Sequence, residues 1–206
     1  MEAKKINIAI IDYGVGNLTS VSNALDYLCL SHRIIDSPEY LERATHVILP
    51  GVGSFKAGME GIKRRGWSDP LRKVALIEKK PLLGICLGMQ LLADTGFENG
   101  QLPGLSILSG EVVKIPAINL PLPHIGWNDV DIRIGRITEN LSENPYFYFV
   151  HSYRFIPKDK SIIVGTVQYD VPIAAIVEYE NIFGTQFHPE KSQDNGSQIL
   201  QNFAKL

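Results

Sequence analysis

Leu82-Leu83-Gly84-Ile85-Cys86-Leu87-Gly88-Met89-Gln90-Leu91-Leu92 is the stretch on which the reading of this fold turns. Leu82–Cys86 is short and apolar, as a strand buried on both faces is. Leu87–Ala93 then reads as a helix, with no linker between the two. A strand that runs straight into a helix at a cysteine, with glycine two residues to either side, matches a nucleophile elbow in which sulfur replaces oxygen. A nucleophile on such a strained turn needs small neighbours. The helix start also aims N–H groups and a positive dipole end at the sulfur, which lowers a thiol pKa from about 8.5 toward neutrality. A buried structural cysteine between two packing glycines has the same spacing, so this stretch leaves both readings open.

Working outward, the same strand-to-helix rhythm recurs. Ile6–Ile11 reads as a buried strand, followed by the turn Asp12-Tyr13-Gly14-Val15-Gly16-Asn17 and by Leu18, Val21, Leu25 and Leu28 at helical spacing. Cys29 falls among these apolar positions and is expected in the core. Val47-Ile48-Leu49 is a further buried strand that stops at Pro50-Gly51-Val52-Gly53. Helices are expected over about 55–65 and 69–80, broken near Gly66 and Trp67, with Pro70 close to a helix start. Beyond about residue 104 strands dominate: 110–115, 129–134, 146–151, 161–168, 173–178 and 182–187. A last helix is expected over about 195–205, with Ile199, Leu200 and Phe203 on one face. The expectation is one α/β domain over 1–206: a doubly wound, mostly parallel sheet with helices on both faces and an antiparallel β extension in the C-terminal half.

Composition agrees with such a domain. The 206 residues are 45% apolar, and 20 basic against 22 acidic residues give a net charge of −2. That balance provides no field for nucleic acid or an anionic membrane. The basic run Lys63-Arg64-Arg65 is expected to be a solvated helix face. Two cysteines, Cys29 and Cys86, are too few for a disulfide-stapled secreted chain and point to a reducing, cytoplasmic setting. The N-terminus lacks the features of a signal peptide, and no apolar run approaches the ~18 residues of a membrane span.

A thiol nucleophile needs a base, and the base needs an orienting group. Of the five histidines, His188 stands out because Glu190 follows two residues later. In extended backbone residues i and i+2 point to one side, and Pro189 discourages helix. Glu190 can then hold one imidazole nitrogen while the other faces a thiol; a surface turn would read the same way. The Pro50–Gly53 turn ends a strand where parallel sheets place ligands. It can offer N–H groups to an oxyanion alongside the N–H of Leu87, or be an ordinary turn. Gly14-Val15-Gly16 is not a dinucleotide fingerprint, since the third glycine would fall at Thr19. No P-loop, HxxxH or CxxC occurs, so no metal or cofactor is expected.

These residues resemble the class I glutamine amidotransferases and, among them, the glutaminase subunits of imidazole glycerol phosphate synthases. The matching blocks are Asp12–Leu18 (DYGVGNL), Pro50–Phe55 (PGVGSF), Gly84–Leu92 (GICLGMQLL), Pro123–Asn128 (PHIGWN), Tyr148–Tyr153 (YFVHSY) and Gly184–Ser192 (GTQFHPEKS), in family order along nearly the whole chain. The resemblance implies Cys86 as nucleophile, His188 as acid and base, and Glu190 as orienting carboxylate. It implies Gly51, Val52 and Leu87 at the oxyanion, and Gln90, His151, Ser152 and Tyr153 at the substrate glutamine. Asn17, His124, Trp127, Tyr148 and Lys191 would face a (β/α)8 cyclase. That partner is a separate chain, because a barrel of ~250 residues does not fit in this one. The implied reaction splits glutamine into glutamate and ammonia, and the cyclase uses the ammonia to form imidazole glycerol phosphate and AICAR in histidine biosynthesis.

Three other functions share these residues. One is a related amidotransferase feeding ammonia to amidino-sugar formation for surface polysaccharide. Another is a γ-glutamyl thiol hydrolase that acts unaided, and the third a catalytically silent scaffold. Partner-dependent activity separates the first reading from unaided hydrolysis, and trapping of Cys86 by a glutamine-like electrophile discards the scaffold.

Overall fold

The computed structural model describes residues 7–116 and 118–206. Ile6, expected to open the first strand, and the N-terminal residues before it lie outside them. Ile8–Ile11 (β1) leads to the helix Leu18–Tyr27 (α1), then His32–Ile35 (β2), His46–Gly51 (β3) and the helix Phe55–Arg64 (α2). Ser68–Arg72 (α3) runs on as a wider π-type turn over Lys73–Ile77, so the helix expected to reach residue 80 changes its hydrogen-bond pattern part-way. Leu82–Cys86 (β4) passes directly into Leu87–Leu91 (α4).

The C-terminal half is strand-rich. Its elements are Thr95–Gly96 (β5), Leu102–Pro103 (β6), Gly110–Lys114 (β7), His124–Asp129 (β8), Asp131–Ile132 (β9), Tyr146–His151 (β10), Tyr153–Pro157 (β11), Ile163–Tyr169 (β12), Val171–Tyr179 (β13) and Ile182–Thr185 (β14), and the chain closes with the helix Gln193–Ala204 (α5). An eight-stranded sheet has the order β2-β1-β3-β4-β14-β13-β12-β9. Neighbours from β2 to β14 are parallel, and those from β14 to β9 antiparallel.

The expected antiparallel extension is therefore present, with two differences from the reading of the sequence. Segment 182–187 is not part of it: β14 returns beside β4 and completes the parallel core. The segments at 110–115 and 146–151 lie outside the large sheet as well. β7 joins a small sheet of order β11-β7-β5-β6, and β10 pairs with β8 alone. Alternation tells a strand which faces it has, not which partner it takes.

Alternation along the core strands divides the apolar residues between two layers. Ile8 and Ile10 of β1 face α1 and α5, packing with Val21, Leu25, Ile199 and Phe203. Ala9 and Ile11 face the other side, with Phe55, Met59 and Leu91. Successive Cβ atoms point to opposite faces of a strand, so an all-apolar tetrapeptide serves both layers. Register then places Gly51 opposite Cys86 and Thr185 opposite Ile85, which brings the carboxyl ends of β3, β4 and β14 together. Cys29 is exposed rather than in the core: it lies beyond the end of α1 with φ +53°, which turns the chain outward.

Candidate active site

Cys86 sits at the junction of β4 and α4 with φ +53° and ψ −110°, a conformation that costs a non-glycine residue of order 1–3 kcal/mol. Two glycines permit it. A β-carbon at Gly84 would stand 2.7 Å from the backbone of Met89, and one at Gly88 would overlap the carbonyl oxygen of Leu49. Helix α4 therefore lies hard against β3 and β4, and the sulfur is carried up at the sheet edge, 5% exposed. The sulfur lies 3.9 Å from the Val150 carbonyl oxygen.

His188 follows β14 in extended backbone, with φ −97° and ψ 98°. Its N–H donates to the carbonyl of Tyr148, and its own carbonyl accepts from the Ser192 hydroxyl at 2.6 Å. Nδ1 lies 2.8 Å from Oε1 of Glu190, whose side chain is buried behind it. Among the described residues Nε2 has no hydrogen-bond partner. His188 and Cys86 line the same cavity of about 300 Å³. Burial alone would push the imidazole pKa down, but the neighbouring Cys86 sulfur and then Glu190 outweigh it and raise it to about 10. The protonated imidazole is thus favoured between a sulfur and a carboxylate, the arrangement of a thiol–imidazole–carboxylate relay.

The cavity walls include Val52, Leu87, Gln90, His151, Ser152 and Tyr153, which are expected site residues, and also Gly53, Glu98 and Pro123. Gly51, expected at the oxyanion, lies beneath rather than on the wall: it is buried beside Cys86, with Val52 next to it 38% exposed. Gln90 donates from Nε2 to the Tyr153 carbonyl and to Oε1 of Gln186, both at 2.9 Å. Gln186 in turn points its amide nitrogen at the Cys86 sulfur, 3.7 Å away. Sequence reading missed Gln186 although it lies within the GTQFHPE block. The signal available was its spacing, two residues before His188 and so on the same side of an extended chain. Glu98 was also missed, because it lies on a loop with no periodicity. Its carboxylate accepts from the Phe55 N–H at the start of α2.

His151 and His124 form a buried chain. Nδ1 of His151 lies 2.8 Å from the Tyr153 carbonyl, which only accepts, so Nδ1 carries the proton. Nε2 of His151 then accepts from Nδ1 of His124 at 3.0 Å, and Nε2 of His124 accepts from the Asn128 amide at 3.3 Å. Burial holds both imidazoles neutral, lowering each pKa to about 4. His124 was expected at a partner face. It is buried instead, stacked between Phe149 and Tyr169, because its inward position on β8 meets the core.

The other expected partner residues sit nearer the surface. Trp127 is 43% exposed, edge-on to Tyr146 and Tyr148, and exposed Lys191 lies over the Tyr148 ring. Asn17 caps α1 by accepting from the Ser20 N–H. Arg65 of the basic run is not merely solvated: it pairs with Asp12 at 3.0 Å. Among the described residues no group of three or more His, Cys, Asp or Glu side chains is placed to hold a metal ion, and no helix is long and apolar enough to cross a membrane.

A doubly wound sheet thus carries a cysteine elbow, a glycine-rich turn beside it and a His–Glu pair beyond the neighbouring strand end, the set of groups that a thiol–imidazole–carboxylate relay needs. The family model for class-I glutamine amidotransferases matches residues 9–206, and the chain belongs to that family. Within it, the chain is a glutaminase subunit of the imidazole glycerol phosphate synthase type. It is 45% identical to imidazole glycerol phosphate synthase subunit HisH of Moorella thermoacetica, over 97% of this chain and 94% of that one. It is 46% identical to subunit HisH 2 of Methanococcus maripaludis, over 96% and 98%. The fold is also that of PurLQS from Thermotoga maritima, with a TM-score of 0.75 at 20% identity, covering 98% of this chain and 99% of that one.

Proposed function

We propose that this chain hydrolyses L-glutamine to glutamate and ammonia and delivers the ammonia to a separate synthase subunit, a (β/α)8 cyclase of histidine biosynthesis. The observation that carries the reading is the shared cavity of Cys86 and His188, with Glu190 bonded to the far side of the imidazole. The Cys86 sulfur, whose proton already rests on His188, attacks the side-chain carbonyl carbon of glutamine. The oxyanion is met by the Leu87 N–H at the start of α4 and by an N–H of the Gly51–Val52 turn. Collapse breaks the C–N bond, His188 returns the proton to the leaving nitrogen, and ammonia departs from a γ-glutamyl thioester. Water, deprotonated by the same imidazole, then releases glutamate and regenerates the thiolate.

The cavity wall suits this substrate. Glu98 is the one carboxylate among the lining residues and offers a partner for the α-ammonium. The Gln90 amide and the strand end His151–Tyr153 flank the remaining polar atoms. Ammonia freed into neutral water becomes ammonium, which is not a nucleophile, so the product needs a sheltered path. The names of the relatives support a partner, being those of subunits of a synthase. So do the exposed side chains Ile125, Trp127 and Tyr146, grouped on the β8–β10 pair that also leads into the cavity. Both cysteines are free, as befits a reducing compartment.

Glutamate release, assayed with and without a cyclase subunit and its nucleotide ligand, tests the proposal. Partner-stimulated release that vanishes in Cys86→Ala is expected. Release that persists in that variant removes the nucleophile assignment, and strong unaided cleavage of γ-glutamyl peptides replaces the reading with that of a self-sufficient hydrolase.

A further inference from the structure

We infer that Tyr13 is a positioning residue for glutamine hydrolysis, its hydroxyl pinning the peptide on which the oxyanion turn is built. The inference rests on the glutaminase reading above and adds a residue to it. Tyr13 is fully buried, and its hydroxyl donates to the Pro50 carbonyl at 2.7 Å. Across that bond lies Gly51, where a β-carbon would stand 2.6 Å from the Tyr13 oxygen and 2.7 Å from the Gly88 nitrogen. Only glycine fits between the phenol and the elbow helix.

A planar peptide moves as one body. Holding the Pro50 carbonyl therefore also fixes the direction of the Gly51 N–H. The freedom left in the turn lies further on, across exposed Val52 to Gly53, whose φ is +90°. Tyr13 decides which part of the turn is fixed and which part can rotate an N–H toward the oxyanion.

The residue is itself firmly mounted. The Asp12 carbonyl accepts from Nη1 of Arg65 and Nε1 of Trp67, each at 3.1 Å, and the Asp12 carboxylate takes the Gly14 N–H at 2.8 Å. Gly61 of α2 leaves no room for a β-carbon against the Tyr13 carbonyl. Burial first, and then the negative charge of the Cys86 sulfur, drive ionisation of the phenol well above its ordinary range, so the hydroxyl remains a donor. Tyr13 also belongs to the Asp12–Asn17 turn, whose last residue caps α1. Through Tyr13, any shift of that turn is carried to the oxyanion.

Tyr13→Phe keeps the ring and removes only the donor. In the complex with the cyclase, kcat for glutamate release is expected to fall at least tenfold with KM unchanged within twofold. Alkylation of Cys86 by iodoacetamide is expected to stay within twofold of the parent rate. A kcat within threefold of the parent overturns the inference; so does a loss matched by equally slowed alkylation, which marks a general structural role. Amide hydrogen exchange on the free chain needs no turnover: exchange at Gly51 and Val52 is expected to quicken at least tenfold, and unchanged exchange overturns the pinning. A parent chain that releases no glutamate counts against the glutaminase reading, while the exchange rates still decide the role of Tyr13.

Discussion

Gln186 directs its side-chain amide nitrogen at the sulfur of Cys86 across 3.7 Å. Its orientation is set by the rest of the network, since its oxygen accepts from Gln90 and only its nitrogen is left for the sulfur. The donor stabilises negative charge on sulfur, and the acceptor steadies a residue of the substrate wall. Gln186→Leu removes both functions at similar volume. Its kcat/KM for glutamine is expected to fall about tenfold or more, the scale of one lost hydrogen bond to a charged group. Gln186→Glu, which sets a carboxylate beside the sulfur, is expected to fall further and to slow Cys86 alkylation. Equal rates in the two variants would show that charge at this position is irrelevant.

Glu190→Gln keeps the shape behind His188 and removes the charge. Turnover is expected to drop by about 10²–10⁴, the range in which a triad carboxylate operates, while Cys86 stays alkylatable. The imidazole of His188 should titrate lower in the variant, because one of the groups raising it is gone. NMR titration of that ring checks the shift, and a turnover loss under twofold would make Glu190 a bystander.

The buried histidines oppose each other in pH dependence. His124 and His151 have their pKa lowered to about 4 by burial. Between about pH 6.5 and 4 the unfolded chain therefore binds protons that the folded chain refuses, and stability falls as the pH falls. His188, raised to about 10, keeps its proton where the unfolded chain has lost it, so stability also falls as the pH climbs from about 6.5 toward 10. Each fully titrating group changes stability by about 1.4 kcal/mol per pH unit. A melting-temperature maximum near pH 6.5 is expected. His124→Gln should reduce the acid limb alone, leaving the part due to His151, and Glu190→Gln should reduce the alkaline one. A profile level from pH 4 to 10 would contradict both shifts.

The convergence of Cys86, His188 and Glu190 was legible in the sequence through the glycines two residues either side of Cys86 and the His188/Glu190 spacing, although Pro189–Lys191 closes into a 3-10 turn and only His188 is in extended backbone. The parallel core was legible because strands such as Ile8–Ile11 and Leu82–Cys86 are apolar on both faces. His32–Ile35 was not, since an edge strand with His32 and Arg33 breaks the apolar run. Nor were the partners of β7, β8, β10 and β11, for pairing among half-exposed strands is settled by three-dimensional packing. Glu98 and Gln186 act through contacts 43 and 100 residues away in the chain, and no local pattern records such distances.

Trp127 offers a test of the partner face. It is 43% exposed and braced by Tyr146 and Tyr148, as an aromatic anchor is before it docks. Trp127→Ala is expected to weaken association with the cyclase by about 2 kcal/mol or more, with a much smaller change in thermal stability. Calorimetric titration and melting, run on one preparation, check the pair of outcomes. A large melting loss at unchanged affinity would make Trp127 a core residue instead.

The crowding beneath Cys86 limits how this catalyst can be altered. Gly51, Gly84 and Gly88 lack space for even a methyl group, so the floor of the pocket tolerates no redesign. Evolution, or an engineer seeking a different amide, must work from the rim, where Glu98, Pro123 and Ser152 border the opening. Substrate choice can drift there while the cleavage machinery remains locked, and that separation lets one hydrolytic core be coupled to many different consumers of nitrogen.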